Sequence, residues 1–363
     1  MTGFELLPDL AARSLGGGVV SATDELFAAA DHLVLDQAPR FDPHSFGPKG
    51  QIYDGWESRR RRTPGHDHAI VRLGVPGIVR GVVVDTAFFT GNYPPEVSVE
   101  GCGMEGHPGP AELAGAAWAT VVPRSPVAGD SRTPFAVDVP TRFTHVRLSI
   151  YPDGGVARLR VHGEPVADPR FLTAGAVDLA ALENGGDVVG CSNMFYGVPA
   201  NLLKPGLARV MGEGWETARR RDAGNDWVEV ALAATGRILV AELDTTHFKG
   251  NAPGEAQLGG ANGSNGADGH WLPLLGRARL QPDTRHRFAI TAPADVERVR
   301  MDVFPDGGMA RLRLWGRPSI EAVEPVTRRW FEALPQQQAA QVLADSRAST
   351  VQDLVAALRS AWH

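Results

Sequence analysis

Short segments in which apolar and polar side chains alternate dominate the first 318 residues of the chain. The clearest are Ile70–Leu73, Val79–Val84, Glu96–Glu100 and Thr144–Ile150. The same character returns at Trp227–Leu232, Gly236–Glu242 and Val299–Phe304. Val-rich and aromatic runs bounded by Gly, Pro, Asn and Asp are strand signals, because branched and ring side chains pack well on a pleated surface while the bounding residues suit turns. No long run at helical period interrupts them. Strands that alternate inward and outward predict antiparallel β-sandwiches, and a jelly roll is the form expected.

The pattern is written twice. Val82–Asn92 reads VVVDTAFFTGN, and VAELDTTHFKGN follows later, with Asp85 and Asp244 159 positions apart. Gly55-Trp56-Glu57 faces Gly214-Trp215-Glu216 at the same offset, as does Gly91-Asn92 with Gly250-Asn251. Tyr151–Arg160 (YPDGGVARLR) matches Phe304–Arg313 (FPDGGMARLR) at 153, so six residues are lost in between. Solenoid units recur every 20 to 50 residues or so; this unit is of domain size. The division expected is a first repeat over 1–165, a linker over 166–183, a second repeat over 184–318 and a helical extension over 319–363. Asp153-Gly154-Gly155 and Asp306-Gly307-Gly308 suit tight hairpin turns. In the extension, Trp330–Leu343 and Val351–Trp362 recur at helical spacing, which predicts two helices, with Pro335 in a first turn and Ser349 and Gln352 at capping-box spacing.

With 363 residues, 43% of them hydrophobic, the chain can bury two ordinary cores. A net charge of −6 argues against nucleic acid as a partner, since phosphate binding needs a concentrated positive face. No apolar run approaches the length of about 18 residues that crosses a bilayer, and the N-terminus lacks an export signal. Cys102 and Cys191 fall at unrelated places in the two copies, which is not a disulfide framework and fits a reducing cytoplasm. His66-Asp67-His68 has the look of a metal cluster, but the second copy reads Asn225-Asp226-Trp227 and no third ligand is identifiable, so no metal site is assigned.

The paired strings GWESRRRR and GWETARRR, DTAFFTGNYP and DTTHFKGNAP, and the doubled PDGG-x-ARLR together resemble allantoicase, across residues 15–318. The resemblance implies two jelly-roll, galactose-binding-like repeats that hydrolyse allantoate to ureidoglycolate and urea in purine catabolism. It leaves activation by a divalent cation such as manganese, and assembly into a homo-oligomer, as open questions. Rival readings are a non-catalytic carbohydrate- or ureide-binding double jelly roll, or a hydrolase of a related ureide.

Allantoate carries a carboxylate and two ureido groups on one carbon. Releasing urea therefore needs a cation for the carboxylate, an acid for the leaving nitrogen and a base for water. A two-residue period along Asp244–Asn251 puts Asp244, Thr246 and Phe248 on one face and Thr245, His247 and Lys249 on the other. In the first copy His247 and Lys249 are Phe88 and Thr90, so the second copy is specialised: His247 is expected as the base and Lys249 as a partner for an anion. Glu216, with its counterpart Glu57, is a candidate for proton transfer. Arg219 and Arg220 are candidates for the carboxylate, since a guanidinium fork matches it. Asn251 and Asn92 have the paired donor and acceptor atoms a ureido group needs. Asp244, like Asp85, is either a turn-forming carboxylate or a ligand contact. Arg158 and Arg311 are expected to point outward as structural residues.

Overall fold

The computed structural model describes residues 3–263 and 270–361; Trp362, expected to end the last helix, lies outside them. Two compact units emerge. The first takes in the chain up to Val166 together with Phe331–Asp345, and the second takes in Ala167–Trp330 and the chain from Ser346 on.

In the first unit the strands are β1 (Gly18–Ala22), β2 (Trp56–Glu57), β3 (Asp67–Asp85), β4 (Glu96–Cys102), β5 (Ala119–Pro126), β6 (Arg132–Ala136), β7 (Arg142–Tyr151), β8 (Gly155–Val156) and β9 (Arg158–Pro165). β3 organises the unit. Its first half pairs antiparallel with β1 and β7, continuing through β4 to β5, and its second half pairs with β9 and β6. The segments expected as two strands, Ile70–Leu73 and Val79–Val84, are thus one long strand that bends between them. The register with β7 shifts between Arg72 and Gly77, where Gly74-Val75-Pro76-Gly77 reads as a turn. Proline donates no ladder hydrogen bond, and a Cβ on Gly77 would lie 2.2 Å from the Glu164 carbonyl oxygen, so the strand bends here without breaking.

The second unit repeats the plan with β10 (Val177–Asp178), β11 (Asp187–Cys191), β12 (Trp215–Glu216), β13 (Asp226–Asp244), β14 (Glu255–Ala261), β15 (Leu272–Arg279), β16 (Arg285–Ala289), β17 (Asp295–Phe304), β18 (Gly308–Met309) and β19 (Arg311–Pro318). β13 is the counterpart of β3, pairing with β11, β17, β19 and β16. β10 pairs with β19, so Val177 and Asp178, assigned above to the linker, belong to the sheet of this unit. Alternate residues of the long strands, among them Val71, Val82, Val230 and Leu243, are buried with Trp56 and Trp215 in the cores. Removing such side chains from water is the main favourable term, about 1.5–3 kcal/mol for each large one.

The Asp-Gly-Gly triplets do not make the expected hairpins. The strand that follows each pairs with the Trp-Glu dipeptide far upstream, β8 with β2 and β18 with β12. Gly155 and Gly308 are needed for close packing: a Cβ there would lie 2.1 Å from the Phe89 ring and 2.0 Å from the Phe248 ring.

The extension forms three helices, α1 (Val323–Ala333), α2 (Gln336–Ser346) and α3 (Val351–Ser360), because the chain breaks at Leu334-Pro335 where one continuous helix was expected. The capping box is set by Thr350 and Asp353, one residue from the expected pair. Among the described residues no helix is long and apolar enough to cross a membrane.

Candidate active site

In each unit the short strand pair at the loop end carries a Glu–Asn contact. Trp215 is fully buried and donates from Nε1 to the Asn193 carbonyl at 2.8 Å, which fixes the strand that holds Glu216. Asn251 donates from Nδ2 to Glu216 Oε1 at 2.6 Å, while its own carbonyl accepts from Gly308 N at 2.8 Å. The first unit matches: Trp56 donates to Asp24 O at 2.7 Å, and Asn92 Nδ2 donates to Glu57 Oε1 at 2.7 Å. Four sequence-predicted residues thus form two pairs. Burial pushes the Glu57 carboxyl above its ordinary value, against the opposing donation from Asn92.

His247 and Lys249 do not lie on a strand face, because β13 ends at Asp244 and the chain turns. His247 takes the left-handed conformation, φ +73°, as Phe88 does at +69° in the first copy. An L-residue there costs about 1–2 kcal/mol. Asp283 Oδ1 offsets this by accepting from His247 N at 2.7 Å, as Asp130 does for Phe88. His247 Nε2 lies 3.0 Å from Ala208 O. A carbonyl only accepts, so Nε2 carries the proton and Nδ1 is the nitrogen left for a ligand. Asn251 Nδ2 also reaches Met211 Sδ at 3.4 Å, so His247 and Asn251 border the same 208–211 segment. Lys249 is 78% exposed, 3.8 Å from Asp283.

Asp244 is fully buried; its Oδ1 accepts from Thr246 N at 2.8 Å and Thr246 Oγ1 at 2.5 Å, so it holds the turn, while its Oδ2 has no hydrogen-bond partner among the described residues. Arg220 is likewise engaged. Its backbone N–H goes to Asp306 and its guanidinium to Asp222 and Asp226, the latter at 2.8 Å, which makes it a brace. Arg61 makes the same bonds to Asp153 and Asp67 in the first unit. Arg219 is exposed with no ion-pair partner among the described residues, as is Arg221, so it is available to an anion.

The family model for the allantoicase repeat matches residues 8–166 and 177–319. A "probable allantoicase" of Nocardia farcinica is 56% identical over 317 residues, covering 86% of this chain and 95% of that protein. One of Streptomyces avermitilis is 49% identical over 342 residues, covering 91% and 90%. The crystal structure of allantoicase from Saccharomyces cerevisiae superposes with a TM-score of 0.72 at 34% identity, covering 85% of this chain and 92% of that one.

The chain belongs to the allantoicase family.

Within these allantoicase repeats, Arg158 and Arg311 depart from expectation: both are buried rather than outward. Arg311 donates to the carbonyls of Gly206, Glu213 and Ala310, and Arg158 to those of Gln37, Asp54 and Ala157 and to the Asp54 carboxylate. They pin the loops that run into the Trp-Glu strands. Alternation hid this role, since both faces of a sandwich strand near its end are covered; the retained PDGG-x-ARLR string was the available signal. Among the described residues no group of three or more His, Cys, Asp or Glu could hold a metal ion, and Asp67, between His66 and His68, accepts from Thr23 and Arg61 through Oδ1 while its Oδ2 has no partner among those residues.

Proposed function

We infer that this protein is an allantoate-hydrolysing enzyme of purine catabolism, producing ureidoglycolate and urea, and that the loop end of the second repeat carries the reaction. The contact between Asn251 and Glu216, bordered by His247, carries the assignment. Glu216 Oε1 is engaged by the amide, which leaves Oε2 to take a proton from water. The water oxygen bonds to the substrate carbon as the C–N bond breaks, the bonding electron pair stays on the leaving nitrogen, and the proton that Glu216 took from water passes by way of the unprotonated His247 Nδ1 to that nitrogen, so that neutral urea departs. Arg219 holds the carboxylate, Asn251 reads a ureido arm with its remaining amide capacity, and Lys249 adds a peripheral cation. In the first repeat, Glu57 and Asn92 keep the recognition pair, but Phe88 stands where His247 does, so that copy binds without proton delivery. Two free thiols, Cys102 and Cys191, support a reducing, cytoplasmic setting.

A coupled assay for urea and ureidoglycolate, run with and without added manganese, tests the activity. Release from allantoate is expected, and its absence under both conditions rejects the reading.

A further inference from the structure

The first unit has an open cavity of about 850 Å³ over β4, β5 and β7 that includes neither Glu57 nor Asn92. Its wall is aromatic and cationic. The His66 ring centroid lies 4.7 Å from that of Tyr151, and the Arg124 guanidinium sits 4.2 Å over the same Tyr151 ring. Tyr151 OH and Ser98 Oγ are 3.0 Å apart. Arg147 stacks over Trp118 at 4.6 Å.

Each guanidinium keeps donors to spare. Arg124 uses Nε and Nη2 on Glu96, and Arg147 uses Nε and Nη2 on Glu100, so Nη1 of each has no partner among the described residues. The His66 and His68 ring nitrogens also lack hydrogen-bond partners among those residues. Burial, with Arg147 and His66 adding to it, holds the His68 imidazole below its ordinary value, so its ring is neutral at pH 7 and can accept.

The second copy lines the same face differently. Arg220 there has Asp222 as a further carboxylate, where the first copy has Thr63 beside Arg61. Ser149 is replaced by Asp302, which accepts from Asn225 at 2.9 Å, Gln257 at 3.3 Å and Arg300 at 3.1 Å. His68 and Tyr151 become Trp227 and Phe304. The second face keeps spare cationic donors too, since Arg277, the counterpart of Arg124, bonds Glu255 through Nε alone, but it has neither histidine nor the Tyr151 hydroxyl, so only the first sets a neutral imidazole, His68, beside its guanidinium groups.

We propose that this cavity is a second ligand site, confined to the first repeat, that takes a small ureido acid. The carboxylate bonds the free edges of Arg124 and Arg147, and the ureido N–H groups reach Glu100 and the imidazoles. The preference for a ureido acid rests on the allantoate reading; the requirement for an anion rests on the side chains alone.

N-carbamoylglycine is a ureido acid with no second ureido group to lose, so it probes binding apart from turnover. Titrated into the full chain labelled with ¹⁵N-histidine, it is expected to move the His66 imidazole signals saturably, the assignment coming from His66→Ala. Acetate should bind more weakly, and methylurea should leave the signals in place. Arg124→Gln should weaken binding about tenfold or more, the scale of one lost charge-assisted contact, while allantoate turnover stays near that of the unaltered protein. Signals that do not saturate at tens of millimolar, or equal affinity in Arg124→Gln, would overturn the site. Turnover lost in step with binding would make the cavity the reaction centre and overturn its standing as a second site. Acetate binding as tightly as N-carbamoylglycine would overturn the ureido preference. Saturable binding in a protein that fails the allantoate assay would leave the anion site standing and reject the hydrolase.

Discussion

Asn251 donates its side-chain amide to Glu216 Oε1 at 2.6 Å, and the pair recurs as Asn92 and Glu57 at 2.7 Å. The two copies keep this contact while differing beside it, where His247 in one replaces Phe88 in the other. Substitution at matched positions therefore separates recognition from proton transfer.

Glu216→Gln should lower kcat by about 10²–10⁴, the usual contribution of a positioned acid or base. Glu57→Gln should cost far less turnover and should stabilise the fold at neutral pH. The sign follows from the raised Glu57 carboxyl: the folded state resists its ionisation, so this group costs stability above its folded pKa and nothing below the ordinary value of 4.5. Urea release and thermal midpoints at acid and neutral pH read both outcomes.

His247→Phe installs the residue that the first copy holds at nearly the same backbone angle, +69° against +73°. Folding should be retained, with an unchanged circular dichroism spectrum, while kcat falls about 10²–10⁴. Activity near that of the unaltered protein would remove His247 from the mechanism.

Arg219→Ala and Arg220→Ala are adjacent changes with opposite expectations. The exposed Arg219 should affect chiefly KM for allantoate. Loss of Arg220 strands the buried Asp226 carboxylate, so the thermal midpoint should drop. Steady-state kinetics and a melting curve of each variant distinguish the two.

His145 is buried in the first unit, with Nδ1 2.8 Å from Thr144 Oγ1 and Nε2 unpartnered. Burial, reinforced by Arg72, pushes its imidazole down from 6.5 to about 4. The unfolded chain therefore binds a proton at higher pH than the folded one. The stability this group provides is complete above 6.5 and is lost as pH falls toward 4, in total roughly 3 kcal/mol. Denaturant midpoints should decline over that window, and the decline should flatten in His145→Asn.

Alternation revealed the strands, and the repeat paired their positions, so Glu57, Glu216, Asn92 and Asn251 were legible before any fold was known. Legibility failed where local pattern and long-range packing disagree. Gly74-Val75-Pro76-Gly77 reads as a turn, yet neighbours on both sides hold it as a bend within β3. Asp244-Thr245-Thr246-His247 reads as strand, yet the Asp244 carboxylate bonds Thr246 and ends it.

The sequence by itself determined that a β-rich domain was duplicated, where its matching positions fall and which residues differ between the copies, because periodicity and offset are properties of a line of residues. Only the tertiary structure decided which charges are already satisfied. Arg220 and Arg219 are neighbours of the same type, but one is held by a carboxylate six residues on and the other has no partner among the described residues. Whether a cation is left for a ligand depends on distances across the fold, which no spacing along the chain encodes.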